Sequence, residues 1–217
     1  MQRKLVHEQS LHIFREPARI IIAGNSNSGK TFICRELIYK YTSCFNLILV
    51  CGVSKFDIDQ SRLTCNIKIS EEILNPFDYA NSELIDKGIL FILDDCFTEA
   101  VNTECVSNVF TKGRHANIST IFITQNLFYS GKHARNISLN STHFILTQNR
   151  DVGQIERLGS QVFGKTNGVR LSDLYKKQMK KKKYSYLLID LSAHCDEEIR
   201  IRTNIVNEGP FETVLQW

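Results

Sequence analysis

Eight consecutive residues, Gly24-Asn25-Ser26-Asn27-Ser28-Gly29-Lys30-Thr31, carry the pattern GxxxxGK[ST] in full. These residue types at this spacing suit the binding of a triphosphate. Small residues let successive backbone N–H groups converge on the β-phosphate, and a helix starting near Gly29 adds the partial positive charge of its N-terminus. Lys30 is positioned to reach the β- and γ-phosphates, and the Thr31 hydroxyl to coordinate Mg²⁺. The residues expected to bind ATP are therefore Gly24, Asn25, Ser26, Asn27, Ser28, Gly29, Lys30, Thr31 and Phe32. Asn27 stands where many such loops have Gly, and Asn tolerates positive φ better than most residues.

Binding alone is not hydrolysis, which needs a carboxylate near the metal and a group that orients the attacking water. Asp94 and Asp95 follow the apolar run Gly88 to Leu93, with Asp94 suited to the metal and Asp95 to the water. Gln125 ends another apolar run and is a candidate sensor of the γ-phosphate. The plainer alternatives are an acidic turn at a strand end and a satisfied loop amide. Arg114, between a helix and the Gln125 strand, is a candidate arginine finger acting on a neighbouring subunit. Arg135 and Arg150 compete for that role, and a solvated surface Arg is the alternative for each.

These groups can meet only if a sheet carries them. Apolar, β-branched runs alternate with amphipathic segments, the pattern of an α/β protein with a mainly parallel sheet. Strands are expected at Ala18 to Ala23, Asn46 to Val50, Gly88 to Leu93, Ile118 to Thr124 and His143 to Thr147. Helices are expected at about Lys30 to Tyr41 and Thr98 to Lys112. A third should be opened by an Asp151–Gln154 capping box, and a fourth, very basic one should be capped by Ser172. The spacing from Asp95 to Gln125 leaves room for one helix and a return strand. That suits a P-loop three-layer sandwich with an additional strand between the phosphate-loop strand and the acidic strand. Residues 53 to 87 read as irregular. Alternation in Ile199-Arg200-Ile201-Arg202 marks a half-exposed strand, paired with Tyr184 to Leu191 as a terminal hairpin.

Length and composition fit one domain over residues 1–217, with an N-terminal extension (1–16), a basic helix (166–183) and the hairpin (184–206). No run approaches a membrane span, and no secretory signal is expected at the N-terminus. Seven Cys without paired spacing suit free thiols, with Cys51 and Cys96 buried, in a reducing, intracellular compartment. The net charge of +4 resides in one segment. Six lysines (Lys176, Lys177, Lys180, Lys181, Lys182 and Lys183) could track a nucleic-acid backbone, form a solvated helix face or act as a nuclear-import signal.

The chain resembles the genome-packaging ATPases of the FtsK–HerA superfamily, in the branch of poxviruses, virophages and Polinton-type elements. The resemblance rests on AGNSNSGKT (Ala23 to Thr31), ILFILDD (Ile89 to Asp95), FTKGRHANISTIFITQNLF (Phe110 to Phe128), GKHARNISLNSTHFIL (Gly131 to Leu146), YSYLLIDLS (Tyr184 to Ser192) and IRIRTNI (Ile199 to Ile205). It implies a homo-oligomeric ring, pentameric or hexameric, that hydrolyses ATP with Mg²⁺ to drive double-stranded DNA into a capsid. A capsid or portal protein would be its partner, in the host nucleus or a cytoplasmic virus factory, with virion association a further expectation. Lys30, Thr31, Asp94, Asp95 and Gln125 match the family's nucleotide and sensor positions, and Arg114 its trans-acting arginine. Asn27 and the Asp, rather than Glu, at position 95 depart from the common pattern. Without an appended nuclease domain, translocation rather than cutting is expected. A small P-loop kinase and a non-catalytic nucleotide switch are the competing readings.

Overall fold

Continuously apolar runs can be satisfied only inside a sheet covered on both faces, and that requirement sets the architecture. The structure is a computed structural model that describes residues 2–6, 12–80, 87–206 and 211–215. In chain order the strands are β1 (Gln2–Val6), β2 (Arg19–Ala23), β3 (Phe45–Cys51), β4 (Asn66–Ser70), β5 (Gly88–Leu93), β6 (Ile118–Thr124), β7 (His143–Leu146), β8 (Leu187–Asp190), β9 (Ile201–Thr203) and β10 (Phe211–Leu215). The helices are α1 (Lys30–Tyr41), α2 (Phe77–Ala80), α3 (Phe97–Ala100), α4 (Glu104–Lys112), α5 (Ala134–Asn140), α6 (Val152–Phe163) and α7 (Asn167–Met179).

All ten described strands join one sheet in the order β1-β10-β9-β8-β7-β2-β6-β5-β3-β4. The half from β7 to β4 is parallel, and β8, β9, β10 and β1 continue it antiparallel. β6 lies between the phosphate-loop strand β2 and the acidic strand β5, so the additional-strand arrangement is present. Successive side chains point to opposite faces, and the core divides accordingly. Ile20, Ile22, Ile48 and Val50 pack with Ile33, Leu37 and Tyr41 of α1. Ile21, Leu49, Phe91 and Phe122 face Val106 and Phe110 of α4, Ile155 and Leu158 of α6, and Leu171 and Tyr175 of α7. The result is the expected three layers.

Several expectations change. The helix anticipated over Thr98 to Lys112 is two, α3 and α4, separated by a turn in which Asn102 N bonds Glu99 O and Thr103 N bonds Ala100 O. Ser172 does not cap the basic helix. It lies inside α7, buried, its hydroxyl donating to Val169 O at 2.9 Å as a backbone back-bond. Lys180 to Lys183 lie beyond α7, so the basic segment is a helix end plus a turn. Asp151 does cap α6, accepting from Gly153 N at 3.1 Å. Gln154, however, accepts from Leu127 N at 2.8 Å instead of completing a capping box. The polar stretch 53–87 contains β4 and α2, with residues 81–86 outside the described ones. Of the N-terminal extension, residues 1 and 7–11 are likewise outside, while β1 pairs with β10.

The largest difference is at the terminal hairpin. β9 is not half-exposed: Arg202 has 0% of its surface accessible. Its strand is flanked by β8 on one side and β10 on the other, with Leu188 and Val214 as register partners. Arg202 Nη2 meets Asp190 Oδ2 at 2.8 Å, and Asp190 Oδ1 lies 3.3 Å from His143 Nε2 and accepts from the Ser192 hydroxyl at 2.7 Å. A buried charge persists only with such partners. Cys34, Cys51, Cys96 and Cys195 are buried thiols, and burial pushes Cys96 up to about 12. Among the described residues no helix is long and apolar enough to cross a membrane.

Candidate nucleotide site

The loop after β2 is held from both sides. Gly24 N bonds Thr124 O of β6 at 3.2 Å, and Asn25 N bonds Gln148 O, just past β7, at 2.8 Å. The Ser28 and Thr147 hydroxyls are 2.6 Å apart. A Cβ on Gly24 would collide with Thr147 Oγ1 and press on Gln148 O, so only glycine fits. Asn27 has φ 58° and Gly29, the N-cap of α1, φ 92°. These left-handed residues shape the turn that carries the chain from β2 into the N-terminus of α1. Asn27 therefore does the conformational work for which glycine is the usual residue.

Lys30 Nζ donates to Gly24 O at 2.8 Å and Asn25 O at 2.7 Å, which places its charge at the loop's mouth. Partial burial lowers its pKa, opposed by the nearby Asp94 and Asp95 charges. Thr31 Oγ1 donates to Asp94 Oδ2 at 3.4 Å. Asp94 is raised above the usual carboxylate range, chiefly by burial and then by Asp95 beside it, against the opposing pull of Thr31 and Lys30. Asp95 has φ 55°, a costly conformation outside glycine, which turns the chain at the end of β5. Ser26, Lys30, Thr31, Asp94, Asp95, Gln125 and Asn126 line one cleft of about 500 Å³, closed by Val53, Phe97, Ile123 and Thr124. Parallel β2, β5 and β6 all end at this edge, which is where open α/β sheets bind ligands.

Lys30, Thr31, Asp94, Asp95 and Gln125, expected from the sequence to act together, thus share one cleft. Gly24, Asn25 and Ser28 do not line it but hold the loop in place, and Gly29 lines the adjoining cavity. Phe32 is 52% exposed on the first turn of α1 and faces an adjoining cavity rather than this cleft. Arg114 lies elsewhere. It occupies a 3-10 turn, Gly113–Ala116, at the opposite end of β6 from Gln125. Seven strand residues separate the two by about 20 Å, so Arg114 cannot serve the nucleotide of its own chain. At that far edge burial, and after it the charge of Arg114, lowers the pKa of Arg19. Arg150 is at the nucleotide edge, its N–H bonding Asn25 Oδ1 at 3.3 Å. Arg135 is exposed on α5. Thr147 and Gln148 were not singled out from the sequence. Their role depends on β7 lying beside β2, and no local pattern announces that pairing.

A strand–loop–helix unit facing an acidic strand across one inserted strand with a polar tip defines a P-loop NTPase of the additional-strand class. The chain belongs to the poxvirus A32 protein family, whose model matches residues 58–215. That match begins after the phosphate loop, so the loop and the family likeness are separate observations. No curated protein sequence matches the chain. Among solved structures, the genome packaging NTPase B204 from Sulfolobus turreted icosahedral virus 2, in complex with ATPγS, superposes with TM-score 0.59 at 14% identity, covering 86% of this chain and 96% of that one. B204, the DNA-packaging ATPase from Sulfolobus turreted icosahedral virus, gives 0.57 at 13%, covering 88% and 98%. EssC (ATPases 2 and 3) from Geobacillus thermodenitrificans gives 0.50 at 14%, over 66% of this chain and 34% of that one. At these identities the likeness is one of fold.

Proposed function

We propose that this chain is an ATP-hydrolysing motor that moves double-stranded DNA into a viral capsid. The observation that carries the reading is the convergence of Lys30, Thr31, Asp94, Asp95 and Gln125 on one cleft at the ends of β2, β5 and β6. The family and the packaging ATPases that share the fold support the choice of DNA as cargo. Mg²⁺ suits the donor set, because a hydroxyl and a carboxylate already approach each other at Thr31 and Asp94 and the pair of acids lacks full neutralisation. When bound, the metal would offset charge on the β- and γ-phosphates.

The protein's own groups do the rest. Loop N–H groups and the α1 N-terminus grip the phosphates, and Lys30 exchanges its carbonyl partners for phosphate oxygens. Asp95 accepts a proton from the attacking water while the Gln125 amide holds that water in line. Arg114 reaches the nucleotide of a neighbour in a ring of five or six copies. The exposed lysines from Lys176 to Lys183 follow the DNA backbone without reading sequence. A capsid or portal protein would dock the ring, in the nucleus or a cytoplasmic virus factory. The decisive measurement is ATP turnover with and without duplex DNA. Turnover that rises with duplex is expected; an unchanged rate in an assembled protein would sink the motor reading.

A further inference from the structure

The phosphate loop has a second, more apolar neighbour than the catalytic cleft. A cavity of about 580 Å³ is lined by Asn27, Gly29, Lys30, Thr31, Phe32 and Tyr184. It shares Lys30 and Thr31 with the cleft, so a ligand with its phosphates in the loop can extend directly into it. Phe32 and Tyr184 are each 52% exposed, although large aromatic rings favour burial. They come from distant parts of the sequence, α1 and the turn before β8, yet both open onto this one space.

Tyr184 is held there by its backbone. Its φ is 62°, an unfavourable value for a bulky residue, and such strain persists only where neighbouring structure enforces it. Ser185 enforces it by bonding Lys182 O twice, through its N–H at 3.3 Å and its hydroxyl at 2.9 Å. The ring then lies across Gly29, where an added Cβ would sit 3.4 Å from Tyr184 Cδ1. Lys183 Nζ is 4.9 Å from the ring centre. The Arg35 guanidinium is 5.5 Å from the centre of the Phe32 ring.

We propose that Tyr184, with Phe32, is the base-stacking site of the nucleotide, taking the purine of a nucleoside triphosphate whose phosphates occupy Gly24 to Thr31. The inference rests on the nucleotide-binding reading above and adds the residue that receives the base. Flat aromatic faces beside a phosphate grip are the chemistry that a purine ring requires, since stacking works through the π-face of the base.

Two ligands separate the parts of the claim: ATP, and inorganic tripolyphosphate, which has the phosphates without the base. Tyr184→Ala should weaken ATP binding roughly tenfold, leave tripolyphosphate binding unchanged and raise KM more than it lowers kcat. Tyr184→Phe should restore ATP binding. In Tyr184→Trp, emission in excess of that from the native Trp217 should be quenched by ATP but not by tripolyphosphate. Equal weakening of both ligands in Tyr184→Ala would make Tyr184 a prop for the loop and overturn the proposal. Unchanged ATP binding in that variant, or emission from the introduced indole that is blind to ATP, would overturn it too. Wild-type protein that bound neither ligand would refute the nucleotide reading itself, a result distinct from the other two.

Discussion

The Thr31 hydroxyl donates to Asp94 Oδ2 across 3.4 Å, linking the helix after the phosphate loop to the tip of the acidic strand. The two residues are 63 positions apart in sequence, and β6 separates their strands in the sheet. That contact joins the two halves of the proposed site, the one assigned to phosphate and the one assigned to the metal. Asp95 and Gln125 line the same cleft.

The division of labour predicts two different losses. Lys30→Ala should abolish turnover, by roughly 100-fold or more, and should weaken ATP binding as well. Asp95→Asn should lower turnover by roughly 100-fold while ATP affinity stays within about threefold. Binding by titration and turnover by phosphate release measure the two effects separately. Equal loss of binding and turnover in Asp95→Asn would undo the roles assigned.

Asn27 offers a conformational test. At φ 58°, Asn27→Gly should be tolerated, with turnover near wild type, because glycine reaches this region freely. Asn27→Val places a β-branched side chain where it is strained and should cost about 1–2 kcal/mol of loop order, read as a raised KM for ATP. Equal impairment of the two variants would mean that the side-chain amide, not the backbone angle, matters at this position.

The trans role proposed for Arg114 predicts complementation between subunits. Arg114→Ala alone should lose at least about 100-fold in turnover, as expected for an arginine finger, with ATP binding intact. Mixed with the equally inactive Lys30→Ala, it should regain activity, because some interfaces then pair an intact Lys30 with an intact neighbouring Arg114. No recovery in mixed assemblies would remove Arg114 from the role and turn attention to Arg135 and Arg150.

The buried network around Asp190 predicts a pH-dependent stability. Burial tends to raise the Asp190 carboxyl, but the His143 hydrogen bond and charge, the Arg202 guanidinium and Ser192 outweigh it and hold the pKa well below normal. A carboxylate depressed in the folded state stabilises fully above its unfolded value, about 4, and that stability is lost as pH falls from there towards the folded value. Asp190→Asn should therefore cost about 3–5 kcal/mol at neutral pH, since it leaves Arg202 buried without its counter-charge. The deficit should narrow below about pH 4. Urea unfolding at several pH values checks it; a pH-independent difference would show that packing, not charge, is what Asp190 provides.

Much of this protein is written locally. Gly24 to Thr31 are contiguous, so their pattern needs no partner to be read, and the runs ending at Leu93 and Thr124 are apolar enough to demand a covered sheet. From these the nucleotide loop, the acidic pair, the Gln125 tip and the three-layer architecture follow: the loop and the polar tips from residue type and position, the layers from period and length. Alternation failed at Ile199 to Arg202 for a definite reason. Period two says that two faces differ, but not that a further strand will cover the second one. β10 supplies that cover, and an Arg that reads as solvent-facing becomes the charged centre of the sheet's antiparallel half.

What only the tertiary structure decided are the relationships between residues far apart in the chain. Thr147 and Gln148 brace the loop because β7 pairs with β2, Tyr184 reaches Gly29 because a strained turn points it there, and Arg114 lies at the wrong end of its strand for its own nucleotide. Each depends on strand order and on which end of a strand a loop leaves. Those are set by the packing of the whole sheet, whose energy is shared among many residues and concentrated in no single motif.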